Sequence, residues 1–134
     1  MTRQGDLSHY NSCNVLSLHA LLGAYSDEGA QWLDELRPVL ADNIRYACDF
    51  IAAHFPGVQV MQPQGTYMLF LDCAAWLQEH HMTLRELEER GARAGVIWQD
   101  GAAFAWPDSI RMNLALPHSR LVEAMERIRV HAFC

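Results

Sequence analysis

The chain has 134 residues, 51% of them apolar, and a formal charge of −6. That length and composition describe one domain with enough apolar sequence for a core, and the acidic balance argues against nucleic acid and anionic membrane as partners. All ten basic residues are arginine, so no side chain of this chain can form a Schiff base.

No apolar run approaches the length of a membrane span, and Met1–Asp6 lacks the layout of a signal peptide, so the cytoplasm is the expected compartment. Cys13, Cys48, Cys73 and Cys134 are too scattered for a zinc knuckle and are expected as free thiols.

Residues 1–12 read as an irregular polar lead-in. From Asn14 to Tyr25 the pattern is helical, with Val15, Leu18, Leu22 and Tyr25 on one face. Leu16 and Leu21 widen that face, so the helix expects cover from more than one neighbour. Ser26-Asp27-Glu28-Gly29 breaks it and offers cap chemistry to the next element. A long helix is predicted over 30–54, with Leu33, Leu36, Leu40, Ile44, Ala47, Ile51 and Phe55 on one face. Pro38 predicts a kink or a restart within it, and Pro56-Gly57 a stop.

Short strands are predicted at 58–60 and 66–71, the second apolar almost throughout and therefore central. Asp72 closes it, and 74–79 forms a short helix or turn. Thr83-Leu84-Arg85-Glu86 has the form of a capping box for a helix reaching Ala94 and stopped by Gly95. A strand over 96–98, a loop over 100–108, a strand from Ser109 to Pro117 and a last helix with Leu121, Met125, Ile128 and Ala132 inward complete the chain. Paired strands interrupted by helices define an α+β fold: a small, mostly antiparallel sheet with helices on one face.

The strand from Ser109 holds the sharpest candidate. Ile110, Met112, Leu114 and Leu116 alternate with Arg111, Asn113 and Ala115, so a charge sits in a half-buried strand. Burying arginine is costly unless its charge is paired. Arg111 therefore reaches solvent, pairs with an internal carboxylate, or receives an anionic ligand; the residues alone leave all three open. Gly101, Phe104 and Trp106 just upstream offer close backbone approach and apolar walls.

Other candidates have plainer readings. His80 and His81 are adjacent and do not converge on a metal, and His19 reads as a half-buried packing residue. Asp72 reads as a turn cap, and Trp32, Trp76, Trp98 and Trp106 as core or interface residues.

Several motifs in order carry a resemblance. They are Trp32-Leu33-Asp34 and Asn43, then the run from Pro63-Gln64-Gly65-Thr66-Tyr67 to Leu71-Asp72, then Gly95-Val96. Gly101–Phe104, Ile110–Pro117, Glu123-Ala124 and Arg127-Ile128 follow. The set resembles the C-terminal part of fold-type I, pyridoxal-phosphate-dependent aminotransferases of class I/II, closest to the MalY/PatB-type cystathionine β-lyases.

The resemblance implies residues 1–28 as a remnant of the large-domain end and interdomain helix, and 29–134 as the C-terminal small domain that closes over substrate. It implies Arg111 as the ligand of the substrate α-carboxylate, with Tyr67, Gly101, Phe104 and Asn113 beside it. It also implies pyridoxal 5'-phosphate in the full-length enzyme, not bound covalently by this chain, and as partners an amino-acid substrate, the large domain and a second copy. The cofactor-anchoring residues of the family lie upstream of the matching region. Ala105 departs from the glycine that usually follows the phenylalanine. The alternative from another class is a non-catalytic, stand-alone interaction or dimerisation module.

Overall fold

A computed structural model describes residues 14–134. The lead-in at 1–12 and Cys13 lie outside the described residues. The chain divides into two compact units, Met1–Pro38 and Val39–Cys134.

In the first unit, helix α1 (Val15–Ala24) is capped by Asn14, whose Oδ1 accepts from the Ser17 N–H at 2.8 Å. This satisfies one of the N–H groups a helix start leaves unpaired. None of its residues is buried; Leu16 is 82% exposed and Leu22 61%. His19 is exposed too, a correction to the half-buried reading, because α1 has no packed face for it to join. Helix α2 (Asp27–His54) starts where Ser26 Oγ accepts from the Gly29 N–H at 3.1 Å. It continues through Pro38 with no restart. The carbonyl that Pro38 leaves without a donor belongs to Asp34, and both residues are exposed, so water can take it.

Along α2 the buried face begins at Asn43 and includes Ile44, Ala47, Phe50 and Ile51. Leu33, Leu36 and Leu40, predicted on that face, are exposed or only half-buried.

The sheet comprises β1 (Gln59–Val60), β2 (Met68–Asp72), β3 (Gln99–Asp100) and β4 (Ser109–Asn113), in the order β1-β2-β4-β3. All pairings are antiparallel, and the apolar strand β2 is internal as its composition requires. Helices α3 (Ala74–Glu79), α4 (Leu84–Arg93) and α5 (His118–His131) pack with the second half of α2 on one face. Strand alternation sends Leu69, Leu71, Ile110 and Met112 into that core, where Trp76, Leu87, Leu121, Met125 and Ile128 meet them. Phe133 stacks on Phe55 at 4.3 Å and meets Trp76 edge-on at 5.0 Å.

Thr83 and Glu86 form the predicted capping box on α4. At the other end Gly95, at φ +79°, lets Val96 N–H donate to Gly91 O at 2.9 Å and Gly95 N–H to Ala92 O at 3.0 Å. That doubly bonded stop ties down Val96. Trp98 then folds across Gly91, where a Cβ would collide with the indole. The predicted strand at 96–98 is therefore irregular, and pairing with β4 begins only at Gln99. Similarly β4 stops at Asn113, whose Oδ1 accepts from the Ala115 N–H at 2.8 Å and bends the chain.

Cys48, Cys73 and Cys134 are free. Burial, with Asp72 and Asp108 adding to it, pushes the Cys73 thiol up to about 12, so it is inert as a nucleophile at neutral pH. No helix among the described residues is long and apolar enough to cross a membrane.

Candidate functional site

The sheet face opposite the helices carries the site. The register sets Phe70 on β2 and Gln99 on β3 to either side of Arg111 on β4. Arg111 Nη1 donates to Gln99 Oε1 at 2.7 Å. Its guanidinium carbon lies 4.6 Å from the Phe104 ring centroid and 5.9 Å from that of Phe70. The two rings meet edge to face at 5.6 Å. An aromatic corner of this kind holds a planar, weakly hydrated cation while leaving its N–H edge open.

Of the three destinations open to Arg111, an internal carboxylate is not the one used among the described residues. Six other arginines form ion pairs with aspartate or glutamate, but among the described residues Arg111 forms none. Its charge faces a cleft of about 730 Å³ whose walls include Met68, Phe70, Asp72, Phe104 and Trp106. The segment Gln59–Gln64 and Thr66 also line it. Thr66 stands at φ +72°, unusual for a β-branched residue, so backbone strain is stored at the rim.

The wall is built locally. Asp100 Oδ1 accepts from the Ala102 N–H at 2.7 Å and opens a 3-10 turn over Gly101–Phe104, structure the predicted loop did not include. Gly101 is buried under Ser109; a Cβ there would collide with Ser109 Oγ and come within 2.7 Å of Trp106 O. Ser109 Oγ donates to Trp106 O at 2.7 Å and pins the turn to β4. Ala105 closes it at φ +60°, the left-handed region that costs a side chain about 1 kcal/mol. This explains why glycine suits the position. Ala105→Gly is expected to stabilise the fold by about 0.5–1 kcal/mol. Urea denaturation checks this, and a lowered midpoint would contradict it.

Of the five residues singled out by sequence, the structure brings Arg111 and Phe104 together. Gly101 lies behind them as a packing position. Tyr67 precedes β2 rather than lying on it, its carbonyl accepts from the Leu114 N–H at 2.8 Å, and its side chain is 44% exposed. Tyr67 and Asn113 are not among the cleft's walls. Phe70 and Gln99 were missed. Phe70 could have been found from the alternation that puts it on the face opposite Leu69 and Leu71.

Asn43 was seen only as a motif residue. It is fully buried, and its Nδ2 donates to the carbonyls of Leu114 and Leu116 at 2.9 Å each, fastening the segment that follows β4. With both amide hydrogens committed, Oδ1 must accept from His118 Nδ1 at 3.0 Å, which fixes the hydrogen on that ring nitrogen. Its spacing from Leu36, Leu40 and Ala47 was the available signal.

An antiparallel sheet carries helices on one face and, on the other, a cleft faced by an arginine that forms no ion pair among the described residues. The chain belongs to the aminotransferase class I and II family, whose model matches residues 4–128. Protein MalY of Escherichia coli (strain K12) is 34% identical over 115 residues, covering 83% of this chain and 28% of MalY. Cystathionine beta-lyase PatB of Bacillus subtilis (strain 168) is 29% identical over 119 residues, covering 87% and 30%. Among solved structures, a PLP-bound C-S lyase from Staphylococcus hominis, in external aldimine form with L-cycloserine, superposes with a TM-score of 0.83 at 25% identity. That match covers 96% of this chain and 33% of the lyase. Cystalysin from Treponema denticola, which contains pyridoxal 5'-phosphate, gives 0.75 at 27% identity, covering 87% and 29%. The chain thus spans about 30% of the length of the curated relatives.

The residues present do not suit covalent attachment of that cofactor. Its aldehyde needs an amine side chain, and all ten basic residues are arginine. The cleft offers one guanidinium, on Arg111, beside the rings of Phe70, Phe104 and Trp106, with the Asp72 carboxylate and several polar side chains also in its wall.

Proposed function

We propose that residues 29–134 are the substrate-closing small domain of a pyridoxal-phosphate-dependent aminotransferase or C–S β-lyase, and that Arg111 binds the substrate α-carboxylate. The observation that carries this is Arg111 held on two aromatic rings and a neutral amide, with no carboxylate partner among the described residues. The cofactor, when bound by the rest of the enzyme, supplies the electron sink. Arg111 orients the amino acid, which is a positioning role. Phe104 and Trp106 give the substrate an apolar wall beside Arg111. Alone, without an amine side chain, the chain is inactive in this reaction. Relatives named cystathionine beta-lyase support C–S cleavage as the reaction of the complete enzyme, while an aminotransferase relative and the family model support transamination.

The test is an assay of the complete enzyme carrying these residues, loaded with pyridoxal phosphate. Pyruvate release from L-cystathionine or transamination of an amino acid is expected. Binding of the cofactor without turnover of any amino acid would overturn the proposal.

One observation favours a second reading, a self-associating module: the uncovered apolar residues of α1. Sedimentation of this chain is then expected to show concentration-dependent dimers. A strictly monomeric species at high concentration would exclude it.

A further inference from the structure

Arg111 has a partner that the carboxylate reading does not by itself explain. Gln99 sits on β3, directly opposite Arg111, and its Oε1 accepts one guanidinium hydrogen at 2.7 Å. We propose that Gln99 is a positioning residue that aims Arg111 while leaving it charged, and this rests on the carboxylate reading of Arg111 given above.

A guanidinium has five N–H donors in a rigid fork. Gln99 occupies one, on Nη1, and fixes the plane of the fork against Phe104. The remaining donors stay available for a two-bond carboxylate contact. The chemistry of the acceptor matters. An amide oxygen orients the fork without neutralising it, whereas a carboxylate at the same place would pair the charge and compete with every anionic ligand.

Asp72 lines the same cleft but forms no ion pair with Arg111, and the acid next to Gln99 in sequence is kept away from the fork. Asp100 follows Gln99 and is paired with Ile110, one residue out of step, so alternation turns it to the other side of the strand. There its Oδ1 is spent on the Ala102 N–H. A slip of one residue in β3 would exchange the amide for the acid and extinguish the site.

A rival role for Gln99 is to fasten the two-residue edge strand to β4. The two roles predict opposite rankings of two variants. Gln99→Glu keeps shape, length and the hydrogen bond, and even strengthens it; Gln99→Ala removes all three. If Gln99 only fastens the strand, alanine is the worse change. If it preserves the charge of Arg111, glutamate is the worse change.

The probe is L-methionine, an amino acid with an apolar body, titrated into this chain and followed by the NMR resonances of the Arg111 guanidinium and the Phe104 ring. Gln99→Glu is expected to raise Kd by about 10-fold or more, and Gln99→Ala by only about 3-fold. In the complete enzyme the same order is expected in KM for the amino-acid substrate, with kcat changed by less than about 2-fold. Equal effects, or alanine worse than glutamate, would overturn the role of Gln99. Arg111→Ala runs beside them. If it weakens binding while Gln99→Glu does not, Gln99 alone is misassigned. If it leaves Kd and KM unchanged, the carboxylate site lies elsewhere and both assignments fall.

Discussion

Arg111→Ala is expected to raise KM for the amino-acid substrate of the complete enzyme by about 100-fold while leaving cofactor occupancy intact. A two-bond, charge-assisted contact between guanidinium and carboxylate contributes about 3 kcal/mol, which is roughly that factor. Cofactor occupancy stays because no residue of this chain can carry the cofactor's covalent link. The fold is expected to tolerate the change: Arg111 is half-buried, forms no ion pair among the described residues, and gives up one hydrogen bond, to Gln99. Arg111→Lys is expected to recover little of the loss, since an ammonium cannot reproduce the planar fork or its stacking on Phe104. Steady-state kinetics with a cofactor absorbance reading decide it, and an unchanged KM would remove Arg111 from the site.

The second large effect concerns Asn43. Asn43→Ala leaves the carbonyls of Leu114 and Leu116 without their donor and takes the acceptor from His118. Each buried polar group left unpaired costs about 1–3 kcal/mol, so a loss of about 3 kcal/mol is expected. Asn43→Asp, nearly identical in shape, is expected to be no better at neutral pH, because a carboxylate presents oxygen to two carbonyls where the amide presented hydrogen. Urea denaturation of this chain measures both. Stabilities within about 0.5 kcal/mol of the parent, the range of ordinary surface substitutions, would show that the clamp is not needed. The segment it fastens follows directly on the strand bearing Arg111, so a partly folded Asn43 variant should also bind carboxylates poorly.

The elements that local chemistry decides were legible in the sequence. Thr83 and Glu86 announced α4, Gly95 its end, and the spacing of Leu121, Met125 and Ile128 the buried face of α5. The elements that tertiary packing decides were not. Val96–Trp98 has the composition of a strand, yet a helix stop and an indole laid over Gly91 hold it away from the sheet. Pro38 carries a local signal to break a helix, and α2 continues through it on a solvent-facing side.

The site divides in the same way. Alternation around Arg111 exposed the charge, and the motif order supplied its expected ligand, but neither gave the partners. Phe70 and Gln99 reach Arg111 through strand register, with Gln99 twelve residues away along the chain. Register follows from the whole sheet rather than from any short stretch. Tyr67 belongs to the same motif and lies just outside both the strand and the cleft.

One comparison isolates the group that Arg111 is held to recognise. An amino-acid ligand and its carboxamide differ only at the carboxylate, and their affinities for the complete enzyme can be measured in the parent and in Arg111→Ala. If Arg111 binds the α-carboxylate, the parent prefers the acid by about 100-fold and the variant's preference falls to near unity. A preference for the acid that survives in Arg111→Ala would mean that the carboxylate is bound by some other group.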